Sequence, residues 1–134
     1  MPSINPTRAQ LAGFTDHVAD DTPLLMLNLL RFNDSASYCA ESPHTPCSGR
    51  EAYARYSQIA IRKVRGVGGE VQVMASVQTA LIAPADEQWD ELLLVRYPSK
   101  AAFLSMLNDP EYQAATVHRT AALLDSRLIA TQQH

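Results

Sequence analysis

The stretch Leu24-Leu25-Met26-Leu27-Asn28-Leu29-Leu30-Arg31-Phe32 constrains the fold more than any other part of the chain. It is an apolar run bounded by turn formers, Asp20-Asp21-Thr22-Pro23 before it and a polar segment after it. Its length and flanks predict a buried strand rather than a helix. Alternation sends Leu25, Leu27 and Leu29 to one face and Leu24, Met26 and Leu30 to the other. A second run, Asp90 to Tyr97, repeats the pattern with Leu93 and Val95 on one side and Leu92 and Leu94 on the other. A sheet built around these two strands is apolar on both faces, and the helices of a small domain cover only one. The other would leave a bare apolar patch of roughly several hundred Å². A second copy of the same sheet is its simplest cover, so a homodimer through the sheet face is expected.

The remaining segments supply a partner for each strand. Thr7, or Asn5, caps a first helix through His17 carrying Leu11 and Phe14. Residues 33–48 are polar, contain Pro43 and Pro46, and are long for a connection, which marks a flap or insertion. Ser48 or Gly49 opens a helix to about Gly66, with Tyr53, Tyr56, Ala60, Val64 and Val67 in one stripe. Glu70 to Ala83 alternates as a long strand, with Val71, Val73, Ala75 and Val77 on one side and Met74 on the other. Ser99 caps a helix over Lys100–Leu107, and Asp109-Pro110 starts another to about Leu124. Ser126 to Thr131 is the last strand. The order is an extra N-terminal helix and then βαββαβ: an α+β, ferredoxin-like plan with a four-stranded antiparallel sheet, the first and third strands central. The 134 residues fit one domain, with a core over 23–131, an N-terminal helical extension over 1–22 and the long loop over 33–48.

Composition closes off several function classes. A hydrophobic share of 46% supports a packed core, and a net charge of -3 without any run of like charge removes the footprint of a nucleic-acid binder. Arg62, Lys63 and Arg65 form a single helical turn and read as a solvated face. No apolar run is long enough to span a membrane, and the first residues lack the pattern of a signal peptide, so a cytoplasmic location is expected. Cys39 and Cys47 then read as reduced thiols. Cys39, His44 and Cys47 have no standard metal spacing, so no metal is expected. Gly66, Gly68 and Gly69 follow a helix and enter a strand, the wrong order for a dinucleotide loop, and no cofactor is expected.

Four segments carry a family resemblance: Leu24 to Phe32; Gly49-Arg50-Glu51-Ala52-Tyr53-Ala54-Arg55-Tyr56; Trp89 to Ser99; and Asp109-Pro110-Glu111-Tyr112-Gln113 with His118-Arg119-Thr120-Ala121. Over residues 23–131 the chain resembles the family labelled domain of unknown function 1330, a branch of the dimeric α+β barrel superfamily. The resemblance implies a ferredoxin-like protomer whose sheet pairs with a partner's, and a ligand cleft between sheet and helices. The superfamily includes cofactor-free oxygenases, lactone isomerases and stress-induced proteins. It transfers no catalytic set, and it leaves out the N-terminal helix and the Cys-containing loop.

Within that frame seven residues are candidates. Asn28 interrupts an apolar central strand, and a buried unpaired amide costs about 1–3 kcal/mol, so it needs a protein or ligand partner. Arg119 shares a helical stripe with Tyr112, Ala115 and Ala122 and leans toward the sheet, where it either pairs with Asp90, Asp109 or Asp125 or holds an anion. His118 beside it is a candidate proton shuttle or a packed surface residue. Tyr53 and Tyr56 are core packing or a wall for a planar ligand. Trp89 is a candidate cap for the cleft, and Arg96 ends the third strand at its mouth. Besides a purely structural assembly domain, two functions remain open. One is an enzyme of oxygenase or isomerase type acting without a bound cofactor on a small aromatic or carboxylated metabolite. The other is a binding or stress-related accessory dimer.

Overall fold

A computed structural model describes residues 2–134. Helix α1 (Arg8–His17) leads into strand β1 (Leu24–Phe32), followed by α2 (Gly49–Gly66), β2 (Glu70–Ser76), β3 (Glu91–Tyr97), α3 (Lys100–Leu107), α4 (Pro110–Ala122) and β4 (Leu123–Thr131). The strands make one antiparallel sheet in the order β2-β3-β1-β4. The two most apolar strands are therefore central, as the sequence predicts, and the plan is ferredoxin-like. Among the described residues no helix is long and apolar enough to cross a membrane.

Each helix starts where its sequence provides an acceptor for the first free N–H groups. Thr7 with Gln10, and Ser48 with Glu51, close reciprocal capping boxes on α1 and α2. Ser99 accepts from the Ala102 amide, and Asp109 accepts from the amides of Glu111 and Tyr112 with Pro110 behind it. These side chains fix where α2 and α4 begin, and so which residues they turn toward the sheet.

The two faces of the sheet differ as expected. Leu24, Met26 and Leu30 of β1 and Leu93, Val95 and Tyr97 of β3 are buried beneath Ala52, Tyr56, Ala60 and Val64 of α2 and Tyr112 and Ala115 of α4. Leu30 is fully enclosed, and cutting such a side chain back to alanine costs about 2–5 kcal/mol. On the reverse face Leu25, Leu27, Leu29, Leu92 and Leu94 are only half-buried, Ile129 is exposed, and none joins the core.

Two strands depart from the pattern read in the sequence. β2 stops at Ser76 instead of continuing to Ala83, and the bond from the Val77 amide to the Asp90 carbonyl is its last backbone pairing with the approach to β3. A register shift between Val71 and Val73 also reverses the faces of its later residues. Met74, opposite Leu93, therefore lies on the helix side, while Val73 and Ala75 lie on the open side. The segment after β2 is a loop in which Leu81 and Ile82 are 95% and 93% exposed. β4 begins earlier than expected, at Leu123, directly from the last residue of α4. A bulge opposite Arg31 and Phe32 brings Leu123 into register, where it is buried.

Gly49 shows why a glycine starts α2. Its N–H donates to the Asn33 carbonyl, and the Asn33 amide donates to that of Ala122. A Cβ on Gly49 would lie 2.1 Å from the Asn33 oxygen and 2.7 Å from the Ala122 oxygen, which no side chain tolerates.

Candidate functional site

Between the helices and the inner face of the sheet lies a cavity of about 470 Å³. That is within the range of small-molecule sites. β1 contributes Asn28, which shares the inner face with Met26, while β4 lines the floor with Ser126 and Leu128. α2 supplies Tyr53 and Tyr56, α4 supplies Tyr112 and Arg119, and β3 supplies Tyr97. Most of the remaining wall is aliphatic or aromatic.

The tyrosines divide by hydrogen bonding. Tyr56 and Tyr112 share a bond of 2.7 Å between their hydroxyls, and Tyr97 donates weakly to the Met106 sulfur at 3.9 Å. Burial pushes the Tyr56 and Tyr97 phenols up from their ordinary value. Tyr53 is pushed up to about 12, again by burial, although the Arg119 charge partly opposes the shift. All three are therefore neutral near pH 7. Among the described residues the Tyr53 hydroxyl has no hydrogen-bond partner.

Two further polar groups reach the cavity nearly unspent. Asn28 makes only a long amide bond, 3.4 Å, to the carbonyl of Met26 on its own strand. Its carbonyl oxygen is free to accept. Arg119 donates from Nη1 to the main-chain oxygen of Ile4 at 2.6 Å. Among the described residues no carboxylate lies within 4.0 Å of its guanidinium, so the expected pairing with Asp90, Asp109 or Asp125 is not formed. Asp90 instead accepts from the Phe32 amide, Asp109 binds Lys63, and Asp125 binds Arg127. Among the described residues the cavity wall contains no Asp, Glu, Lys or His; its charged side chains are Arg119 and Arg127, and Arg127 is neutralised by Asp125 at 2.9 Å.

Thus Asn28, Tyr53, Tyr56 and Arg119 converge on one space, and three other candidates do not. Trp89 stays outside because it packs against Arg127, whose guanidinium sits 5.0 Å from the ring centre. Arg96, paired across strands with Leu25 and Glu70, belongs to the open face, since its neighbours Val95 and Tyr97 take the inner one. His118, one residue from Arg119, turns to the outside of α4. There its Nδ1 meets the Tyr38 hydroxyl at 2.6 Å, and its ring packs on His44 with 4.4 Å between centres. Arg55 donates to the same Tyr38 oxygen at 3.2 Å. Burial, then His44, then Arg55 hold the His118 pKa below its usual value.

Cys39 and Cys47 are unbonded, and no group of three or more metal-capable residues occurs among the described residues. The sequence reading missed Tyr112 as a partner of Tyr56, although its helical stripe pointed inward. It also missed the contribution of Ser3, Ile4, Asn5 and Pro6, which carry no local signal.

Comparison with known proteins agrees with this architecture. A protein of unknown function from Rhodopseudomonas palustris is 36% identical, with a TM-score of 0.91 over 100% of this chain and 98% of its own. Its methylated form gives 37% and 0.91 over 99% and 96%. A DABB family protein with a ferredoxin-like fold from Mesorhizobium loti shares the fold alone, at 12% identity and a TM-score of 0.52 over 84% and 97%. No curated protein sequence matches. Residues 44–132 match the model of a domain of unknown function, DUF1330. By that match, which covers well over half its length, the chain belongs to the DUF1330 family.

Proposed function

We propose that the protein binds a small organic anion with an aromatic body in the tyrosine-lined cavity. The observation that carries this reading is the Arg119 guanidinium, which lines an apolar space with no carboxylate to neutralise it. Arg119 is half-buried, and a ligand carboxylate supplies the missing counter-charge through two parallel N–H···O bonds. Tyr53 and Tyr56 offer ring faces and edges to a planar body, and Asn28 offers one polar contact on the floor. Aspartate and glutamate are missing from the walls, which favours anions over cations.

Binding without chemistry is favoured over proton abstraction, because no wall residue is a general base near neutral pH and His118 lies outside. One observation supports an enzymatic second reading. Tyr53 is an unpartnered phenol held protonated by burial. It can donate to a carbonyl or peroxide oxygen of a substrate that is itself acidic, which suits a cofactor-independent oxygenase or isomerase.

The reverse face of the sheet supports a homodimer, in which two such apolar faces cover each other. Light scattering at micromolar concentration is expected to give twice the chain mass, and a monomer mass would refute the pairing.

Binding is tested with 1-anilinonaphthalene-8-sulfonate, an aromatic anion whose fluorescence rises in apolar sites, and by its displacement with a panel of aromatic carboxylates. Saturable binding to the wild type, weakened about tenfold or more in a folded Arg119→Gln variant, is expected. Equal binding by both proteins would sink the reading.

A further inference from the structure

We propose that residues 3–14 form a movable wall of the ligand site, fastened by the guanidinium that reads the ligand's anion. This rests on the cavity being a ligand site. The segment lies in the part of the chain that precedes the family match, yet Ser3, Ile4, Pro6, Leu11 and Phe14 all line the cavity. The Rhodopseudomonas palustris relative aligns with 100% of this chain, so it carries the same extension.

The attachment is unequal along its length. At the far end of α1 the buried Lys100 ammonium binds the carbonyls of Thr15 at 2.5 Å and Val18 at 3.0 Å, and the Asp20 carboxylate at 2.8 Å. It satisfies carbonyls that the helix end leaves free and places a cation at the negative end of its dipole. Phe14 stacks on Phe103 with 5.2 Å between ring centres. That end is an anchor. The leading end lies flat on β4 and α4 by hydrogen bonds alone, apart from Ile4. Ser3 donates to Asp125 at 2.9 Å and accepts from Ser126 at 2.5 Å, and Ile4 accepts from Arg119 at 2.6 Å. No residue of α1 is fully buried, and Phe14 near its far end is the one that packs against the core, so the leading turns of the helix add little to hold the strap down. One of these bonds is exposed and two are half-buried, and Ile4 is the only apolar side chain among them that packs on the core, so this end opens at lower cost than the packed core does.

Arg119 couples this wall to the ligand. Its planar group has five N–H donors, and Ile4 takes one. The remaining edge is free for a carboxylate, so ligand and strap are held together by one side chain and do not compete for it. An anion fixes the guanidinium in place, and the fixed guanidinium holds Ile4. By reciprocity, whatever the strap adds to ligand affinity the ligand adds to closure of the strap. The geometry also narrows the ligand to one anionic group, because the strap brings no second cation: its cavity-lining residues are uncharged.

The experiment measures the dissociation rate of 1-anilinonaphthalene-8-sulfonate by stopped flow, in the wild type, in a variant lacking residues 2–6, and in Ser126→Ala. Hydrogen exchange of residues 3–14 is followed with and without the probe. The deletion is expected to speed release about tenfold and Ser126→Ala less, and the probe is expected to slow exchange in this segment. Ser126→Ala retains the full chain and serves if the deletion does not fold. Unchanged release in a folded variant, with no protection of residues 3–14, overturns the strap while leaving the binding site standing. A wild type that binds no probe overturns both.

Discussion

His118 and Arg119 are neighbours in the chain and inhabit opposite environments. Successive residues on a helix point about 100° apart, so one step of α4 separates the outside of the molecule from its cavity. Outside, His118 joins Tyr38, His44 and Arg55 in a cluster held by the Tyr38–His118 and Arg55–Tyr38 hydrogen bonds and by ring packing on His44. Inside, Arg119 joins Tyr53 and Asn28, whose polar atoms are left largely unpaired. The outer cluster holds the 33–48 loop in place. The inner one leaves polar groups unpaired around an apolar space, which is what supports the proposed ligand site.

Substitutions test that division, beginning with the one that breaks both sides. Gly49→Ala drives a methyl into the carbonyls of Asn33 and Ala122, where the loop, α2 and the end of α4 meet. A loss of about 3 kcal/mol or more is expected in urea unfolding. Next comes the contrast itself. His118→Ala is expected to leave probe affinity within about twofold, against about tenfold or more for Arg119→Gln. Equal losses would erase the distinction between the two faces. Tyr56→Phe strands the Tyr112 hydroxyl and is expected to cost about 1 kcal/mol in a thermal or chemical melt.

The smallest effect is the pH response of the outer cluster. The folded protein holds His118 below its ordinary pKa of 6.5, so between the two values the unfolded chain binds more protons. The contribution of His118 is therefore complete above pH 6.5 and is lost as pH falls through the folded value. Melting temperatures followed below that pH should decline more steeply in the wild type than in His118→Gln. A steeper decline in the variant would reverse the sign of the argument.

Most of the architecture was legible, because it rests on signals local to each segment. The Leu24–Phe32 and Asp90–Tyr97 runs placed the central strands, and Ser48, Ser99 and Asp109 placed the helix starts. The course of β2 was not legible, because the shift at Val71 and Val73 depends on β3 and moves Met74 to the other face. Arg119 and Asn28 could be placed in the cleft because each interrupts a periodic apolar pattern. Trp89 and Arg96 could not be excluded from it, since their positions follow from the register of β3 and from a contact with Arg127, more than thirty residues away. Of the two readings of His118, the structure shows the packed one, and its partners were not legible for the complementary reason: Tyr38 and His44 arrive on a loop with no periodicity.

The direct passage from α4 into β4 has a mechanical meaning. Ala122 ends the helix and Leu123 begins the strand, with no residue between them to act as a pivot. Arg119 is on one arm of this corner and Asp125 and Ser126 are on the other, and all three grip the same short stretch, Ser3 and Ile4. The corner is thus a fixed bracket, braced by the buried Leu123 and by the sheet on its strand side. Any opening of the cavity at this end has to be made by the N-terminal strap swinging about its Lys100 anchor, while the bracket stays still.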